Sequence, residues 1–154
     1  MKSYLVLLMF FFGSQIYSQD IIKVGNYVFQ IGETSESFLI KYPEFQKANS
    51  IDSQLPNDVI QYEYEITENE TYISVRFFRN NLYYVSINDP FWSNIFTDFD
   101  PLNFGFIKTG EEIEPSDNQF KANYINEFFK KGDITIKFAG ARRGFLEIEK
   151  TINN

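Results

Sequence analysis

The chain has 154 residues, a formal net charge of −7 at pH 7, and neither cysteine nor histidine. The lack of cysteine excludes disulfides, lipid attachment through a cysteine, thiol catalysis and thiolate metal ligation, and the lack of histidine excludes Ser-His-Asp and Cys-His catalysis and imidazole metal sites. The acidic charge disfavours nucleic acid and anionic membrane surfaces as partners, because both attract basic proteins.

The start of the chain has the layout of a secretory signal peptide. The basic residue Lys2 precedes an unbroken apolar run over residues 4 to 12, and small and polar residues follow. This order is typical of a leader that is removed during export, and the run is too short to cross a bilayer core of about 30 Å as a helix. We predict a signal peptide over residues 1 to 18, cleavage after Ser18, and a single domain over residues 19 to 154. We therefore expect a secreted or periplasmic protein with no stable membrane anchor. The alternative is that the apolar N-terminal segment is retained as a membrane anchor.

A short strand and a short helix are predicted next. Apolar and aromatic residues alternate with others from Tyr27 to Ile31, which is a strand pattern. Thr34 is a residue type that caps helices, and Pro43 is one that ends them. We therefore expect a helix over residues 34 to 42, followed by irregular chain over residues 43 to 58.

The clearest pattern is a three-stranded antiparallel meander over residues 59 to 88. Aliphatic and aromatic residues alternate with polar ones in three consecutive segments, which start near Ile60, Ile73 and Tyr83. The stretch Arg79-Asn80-Asn81-Leu82 predicts a tight turn between the last two strands, because asparagine tolerates positive φ.

The second half of the chain is predicted to hold a loop, an ambiguous segment and a hairpin. One helical turn is expected over residues 91 to 96, and a loop over residues 97 to 117, which are rich in acidic residues, proline and glycine. Residues 116 to 132 fit either a strand or a helix ending at Gly132, and the helix is slightly favoured. Apolar alternation over residues 133 to 149 predicts a C-terminal hairpin.

These elements predict an α+β fold, in which a meander and a C-terminal hairpin form an antiparallel sheet with one to three short helices packed on one face. The order of Gly32, helix-starting Thr34, helix-ending Pro43 and meander, over residues 28 to 88, resembles small bacterial envelope domains of the BamE and beta-lactamase-inhibitor type. The resemblance rests on this order of elements and implies at most a similar fold for these residues, and a fold does not determine a function.

A binding patch is predicted at two segments that follow or join strands. Phe91 and Trp92 come directly after the meander, and Arg142 and Arg143 lie at the tip of the C-terminal hairpin. Tryptophan and arginine are common at the centres of binding interfaces, and arginine pairs with carboxylates. The alternatives are a tryptophan buried in the core and a solubilising turn.

Alternating glutamates on two strands offer a catalytic chemistry that needs neither histidine nor cysteine. Two carboxylates at a suitable separation in a cleft can hydrolyse a glycosidic bond. Glutamates on a solvent-facing side of a strand are the ordinary alternative. The pairs are Glu63 with Glu65 and Glu147 with Glu149.

The sequence as a whole favours an exported, non-enzymatic domain that binds a protein or a glycan of the cell envelope. No phosphate loop, dinucleotide fingerprint or metal-ligand spacing is present, so we expect no cofactor and no metal. A small secreted hydrolase that uses two carboxylates is one alternative, and an inhibitor of another secreted protein is a second.

Overall fold

In the described part of the chain, eight strands form one antiparallel sheet and two further strands form a separate hairpin. The computed structural model describes residues 20–49, 55–66, 70–89, 95–115, 124–139 and 144–152. The elements in chain order are β1 (Ile21–Val24), β2 (Tyr27–Gln30), helix α1 (Ser35–Lys41), β3 (Gln46–Lys47), β4 (Val59–Ile66), β5 (Thr71–Phe78), β6 (Asn81–Asn88), a 3-10 helix (Pro101–Phe104), β7 (Ile107–Glu114), β8 (Tyr124–Lys131), β9 (Ile134–Ala139) and β10 (Phe145–Lys150).

The large sheet consists of two meanders joined edge to edge. Its strand order is β3-β4-β5-β6-β10-β9-β8-β7, so the first meander ends at β6 and the second returns from the far edge to meet it. The junction is the antiparallel pairing of β6 with β10, in which Val85 faces Ile148. The chain leaves β6 at Asn88 and enters the far-edge strand β7 at Ile107. Residues 95 to 106 of this connection, here called the crossing segment, contribute Ile95, Phe96, Phe99 and Phe106 to the core.

The predicted meander over residues 59 to 88 is confirmed. Strands β4, β5 and β6 pair in sequence, with Tyr62 opposite Val75 and Val75 opposite Val85. The turn between β5 and β6 contains Arg79 at φ 48° and Asn80 at φ 67°. Two consecutive residues with positive φ are typical of a type I′ turn, whose twist matches that of a hairpin.

The predicted helix over residues 34 to 42 is also confirmed, as α1. The Thr34 side chain accepts a hydrogen bond from the backbone N–H of Ser37 at 3.3 Å, and Glu36 lies in the first turn, where the helix dipole favours an acid. Phe38 is fully buried, while Ile40 on the opposite side is exposed. No helix among the described residues has the length and apolar character needed to cross a membrane.

The α+β prediction is confirmed only in part, because the described chain is mostly antiparallel sheet with little helix. Residues 97 to 117 were expected to form a loop, yet they contain the 3-10 helix and strand β7. Strand β7 is the edge of the sheet and is exposed along nearly all of its length. Because neither of its faces is buried, its sequence carries no alternation of apolar and polar residues.

The slight preference for a helix over residues 116 to 132 is wrong where the structure describes them. Residues 124 to 131 form β8, which pairs with both β7 and β9. Gly132, expected to end a helix, instead has φ 59° in the two-residue turn between β8 and β9. Backbone hydrogen bonding to a strand on each side stabilises β8 as a strand. Residues 116 to 123 lie outside the described chain. The predicted C-terminal hairpin is confirmed as β9 and β10.

A single core lies on one side of the sheet. The β1–β2 hairpin, α1 and the crossing segment cover this side, and they contribute Phe29, Phe38 and Phe99 to one continuous cluster with the sheet. The Phe38 ring lies 5.0 Å from that of Phe45 and 5.7 Å from that of Phe77. Burying a side chain of this size contributes roughly 1.5–3 kcal/mol. The opposite side of the sheet is left uncovered by the described elements.

Gly144 allows β10 to start directly beside the end of β6. Its φ is +57°, its carbonyl accepts a hydrogen bond from the Asp89 N–H at 2.6 Å, and a Cβ atom there would lie 1.8 Å from the Asp89 carbonyl oxygen. A side chain at this position therefore meets backbone that cannot rotate away.

We expect Gly144→Ala to destabilise the protein by about 3 kcal/mol or more, because it combines left-handed strain with a backbone clash at the β6–β10 junction. Gly132→Ala is the matched control, since Gly132 also has positive φ but has nothing within 4 Å of the added Cβ. It should cost only about 1–2 kcal/mol. Urea unfolding of both variants measures the difference, and equal losses would contradict the close approach at Asp89.

Candidate functional site

The four residues predicted to form a binding patch, Phe91, Trp92, Arg142 and Arg143, lie outside the described residues. Their neighbours in the chain are described and lie together. Asn88 pairs with Phe145 across the β6–β10 junction. The two predicted segments are thus attached to the same end of two neighbouring strands, and the patch itself remains a prediction.

The uncovered side of the large sheet, here called the outer face, presents a regular array of polar and aromatic side chains. Cross-strand pairing places them in rows: Glu63, Ser74, Ser86, Glu147 and Lys137 form one row across five strands, and Gln61, Arg76, Tyr84, Glu149 and Thr135 form the next. The glutamates of the two sequence-predicted pairs all belong to this face.

The second row is linked to the first by direct contacts. Arg76 donates from Nε to the Gln61 side-chain oxygen at 2.7 Å, and Gln61 donates to Glu63 at 2.5 Å. The Arg76 guanidinium also lies over the Tyr84 ring, 4.4 Å from its centroid, and the Tyr84 hydroxyl donates to Glu147. Five side chains on four strands are therefore held in fixed relative positions.

The middle of the outer face is occupied by two small residues. Ser74 and Ser86 face each other directly between β5 and β6. Ser74 is only 5% exposed, and its hydroxyl has no hydrogen-bond partner within the described chain. A buried hydroxyl that stays without a partner costs roughly 1–3 kcal/mol.

A cleft of about 320 Å³ opens at the β3 end of the outer face. Strand β3 and the residues on either side of it form one wall, and Glu63, Tyr64, Glu65 and Tyr72 form the other. Glu44 joins the two predicted carboxylates in this cleft. Sequence reasoning missed Glu44, because nothing in the local pattern shows that the chain before β3 returns to the edge of β4.

The second predicted pair of glutamates lies elsewhere. Glu147 accepts the hydrogen bond of Tyr84 in the middle of the sheet, and Glu149 is exposed beside it. Neither residue lines the cleft. The described residues contain no group of three or more acidic side chains arranged to hold a metal ion.

The far edge of the sheet is protected by charge. Lys108 on β7 pairs with Glu111 at 2.9 Å and with Glu127 at 2.7 Å, and a bulge follows it in the pairing with β8. Charged residues and bulges on an edge strand oppose the addition of a further strand. The features that favour ligand binding are therefore at the β3 end rather than the β7 end.

Comparisons with protein-family models, with curated proteins and with solved structures found no match for this chain. The likeness of residues 28 to 88 to bacterial envelope domains gains no support from them. The site must be interpreted from its own chemistry.

Two tyrosines of the outer face have raised pKa values. Burial is the main cause for both, and it disfavours the charged phenolate. The neighbouring carboxylate adds to it: Glu147 raises the pKa of Tyr84 further, and Glu63 raises that of Tyr72. On the core side, burial raises the pKa of Tyr27 to about 12.

The protein should lose stability steeply with rising pH in the alkaline range. In the unfolded chain these tyrosines lose their protons near pH 10, while the folded chain retains them, so the unfolded state binds fewer protons and is favoured as the pH rises. Urea unfolding between about pH 9 and pH 11 measures this slope. Tyr84→Phe should make the slope shallower, and an unchanged slope would contradict the raised Tyr84 pKa.

Proposed function

We propose that the protein is an exported, non-enzymatic domain that binds a component of the cell envelope on its outer face. The observation that carries the proposal is the bonded array from Glu63 through Gln61, Arg76 and Tyr84 to Glu147. Solubility requires only charges in water, and isolated surface contacts add little stability. A face of pre-positioned aromatic, basic and acidic groups is what specific recognition requires.

The proposed cleavage site is compatible with the position of the first described strand. Strand β1 starts at Ile21, so cleavage after Ser18 would leave every described strand in the mature chain. Asp20 is already held by the fold, because its carbonyl accepts from the Ile31 N–H at 3.1 Å and its carboxylate pairs with Lys131 at 2.7 Å. All described strands and their contacts therefore lie after the proposed cleavage site.

We expect mass spectrometry of the protein purified from its native cell envelope or medium to find Gln19 at the N-terminus. A cut one residue to either side would still agree with the proposal. Recovery of the chain from the cytosol with Met1 and the apolar run attached would contradict it.

A carboxylate-dependent hydrolase is the second candidate, and one observation favours it. Glu44, Glu63 and Glu65 line the same cleft. A two-carboxylate mechanism needs one acid kept protonated by an apolar site, whereas Glu65 is exposed and Glu63 accepts a hydrogen bond from Gln61. The cleft is therefore better suited to binding than to proton transfer. An inhibitor is less well supported, since it predicts a rigid exposed patch and no cleft.

The binding proposal is tested by charge reversal on the outer face. Glu149→Lys changes an exposed outer-face residue that lies opposite Tyr84 of the bonded array, and Asp98→Lys makes the same change at an exposed residue of the crossing segment, away from the outer face. We expect the immobilised wild-type protein and the Asp98 variant to retain the same envelope component, and the Glu149 variant to bind it at least about tenfold more weakly. The affinity of each of the three proteins is then measured with the purified component.

Equal retention by all three proteins would contradict the outer face as the binding surface. If wild type instead releases a shortened component and Glu63→Gln does not, the hydrolase is supported in place of the binding domain.

A further inference from the structure

The cleft beside β3 contains polar side chains whose hydrogen-bonding groups are unused. Glu44, Gln46, Asn49 and Glu65 all line it, and within the described chain none of them forms a side-chain hydrogen bond or an ion pair. Elsewhere on the same molecule exposed carboxylates do find lysine or arginine partners, as Asp133 does with Lys150. The polar groups around the cleft remain available to a ligand.

These groups include donors as well as acceptors. The carboxylates of Glu44 and Glu65 only accept hydrogen bonds, the amides of Gln46 and Asn49 do both, and Lys47 only donates. A ligand that uses all of them must itself donate and accept at closely spaced positions. Neighbouring hydroxyl groups on a sugar ring meet this requirement.

The aromatic ring of Tyr72 lies in the same wall of the cleft as Glu65. Tyr72 is 37% exposed, which makes it one of the exposed large apolar side chains of the described chain. The apolar face of a sugar ring packs on such a ring while its hydroxyls reach the surrounding polar groups. The cleft thus combines one stacking surface with a polar rim.

Three other classes of ligand fit less well. A peptide that adds a strand needs a free edge long enough to pair with it, but the edge strand here, β3, is only two residues long, and such short edge strands give little room for a further strand. An anion would meet three carboxylates and a single ammonium. A metal ion is disfavoured, because no described acidic group has the arrangement to hold it.

We infer that the cleft between β3 and β5 binds one unit of a neutral saccharide, with Tyr72 as the stacking surface and Glu44, Glu65 and Asn49 as hydrogen-bonding groups. This inference rests on the proposed binding function and narrows it to a class of ligand.

The test is calorimetric titration of the mature chain with cellobiose, maltose, lactose and N,N′-diacetylchitobiose, and separately with spermidine and a lysine-rich peptide. We expect saturable binding of at least one disaccharide. Tyr72→Ala should weaken that binding by about tenfold or more, which corresponds to 1.4 kcal/mol, while Tyr72→Phe keeps the ring and should retain most of the affinity.

Two glutamate variants serve as a matched pair. Glu65→Gln changes an exposed strand residue in the cleft, and Glu112→Gln changes an exposed residue on β7, at the other edge of the sheet. The first should weaken saccharide binding and the second should leave it unchanged, with circular dichroism confirming that both are folded.

The inference is overturned if none of the four disaccharides binds. It is also overturned if the lysine-rich peptide or spermidine binds and no disaccharide does. Equal saccharide affinity of Tyr72→Ala and wild type overturns it too. If the envelope component is still lost on Glu149→Lys while no disaccharide binds, only the saccharide assignment fails; if neither binds, the proposed function fails with it.

Discussion

The pairing of β6 with β10 is the constraint on which the rest of the structure depends. It joins the two meanders into one eight-stranded sheet. On one side of the sheet it brings Val85 against Ile148, in the middle of the core. On the other side it brings Tyr84 to Glu147, which completes the polar array of the outer face. Core and candidate site therefore depend on the same register, because adjacent residues of a strand point to opposite sides.

A backbone contact at one end of the β6–β10 pairing fixes the register of the two strands. The Asp89 N–H donates to the Gly144 carbonyl, and the close approach of the two backbones is possible only without a side chain at position 144. A slip by one residue would move apolar residues to the outer face and glutamates to the core. The cost of burying unpaired carboxylates makes such alternatives unfavourable. The specificity of the fold and the geometry of the outer face thus have a common origin.

The outer face differs from an ordinary solvent-exposed side of a sheet in the way its groups are connected. Arg76 is held from two directions, by Gln61 and by the ring of Tyr84. Each contact alone contributes little in water, but together they remove the freedom of long side chains before a ligand arrives. The cleft at the β3 end is different, since Glu44, Gln46, Asn49 and Glu65 in its lining form no side-chain hydrogen bond or ion pair within the described chain. The outer face therefore has a rigid part, the bonded array, and beside it a cleft whose polar groups can form hydrogen bonds with a ligand.

The amino-acid sequence by itself determined the local elements whose pattern has a period. Two-residue alternation predicted β4 to β6 and the C-terminal hairpin, and the cap and stop residues around Phe38 predicted α1. It did not predict β7 or the strand β8, because the edge strand buries neither face and β8 also matches a helical spacing at Phe120, Tyr124 and Phe128. Only the tertiary structure decided that β6 pairs with β10 and that Glu44 reaches the cleft of Glu63 and Glu65. The physical reason is that periodicity reports on neighbours along the chain, whereas strand order and site assembly depend on contacts between residues far apart in sequence.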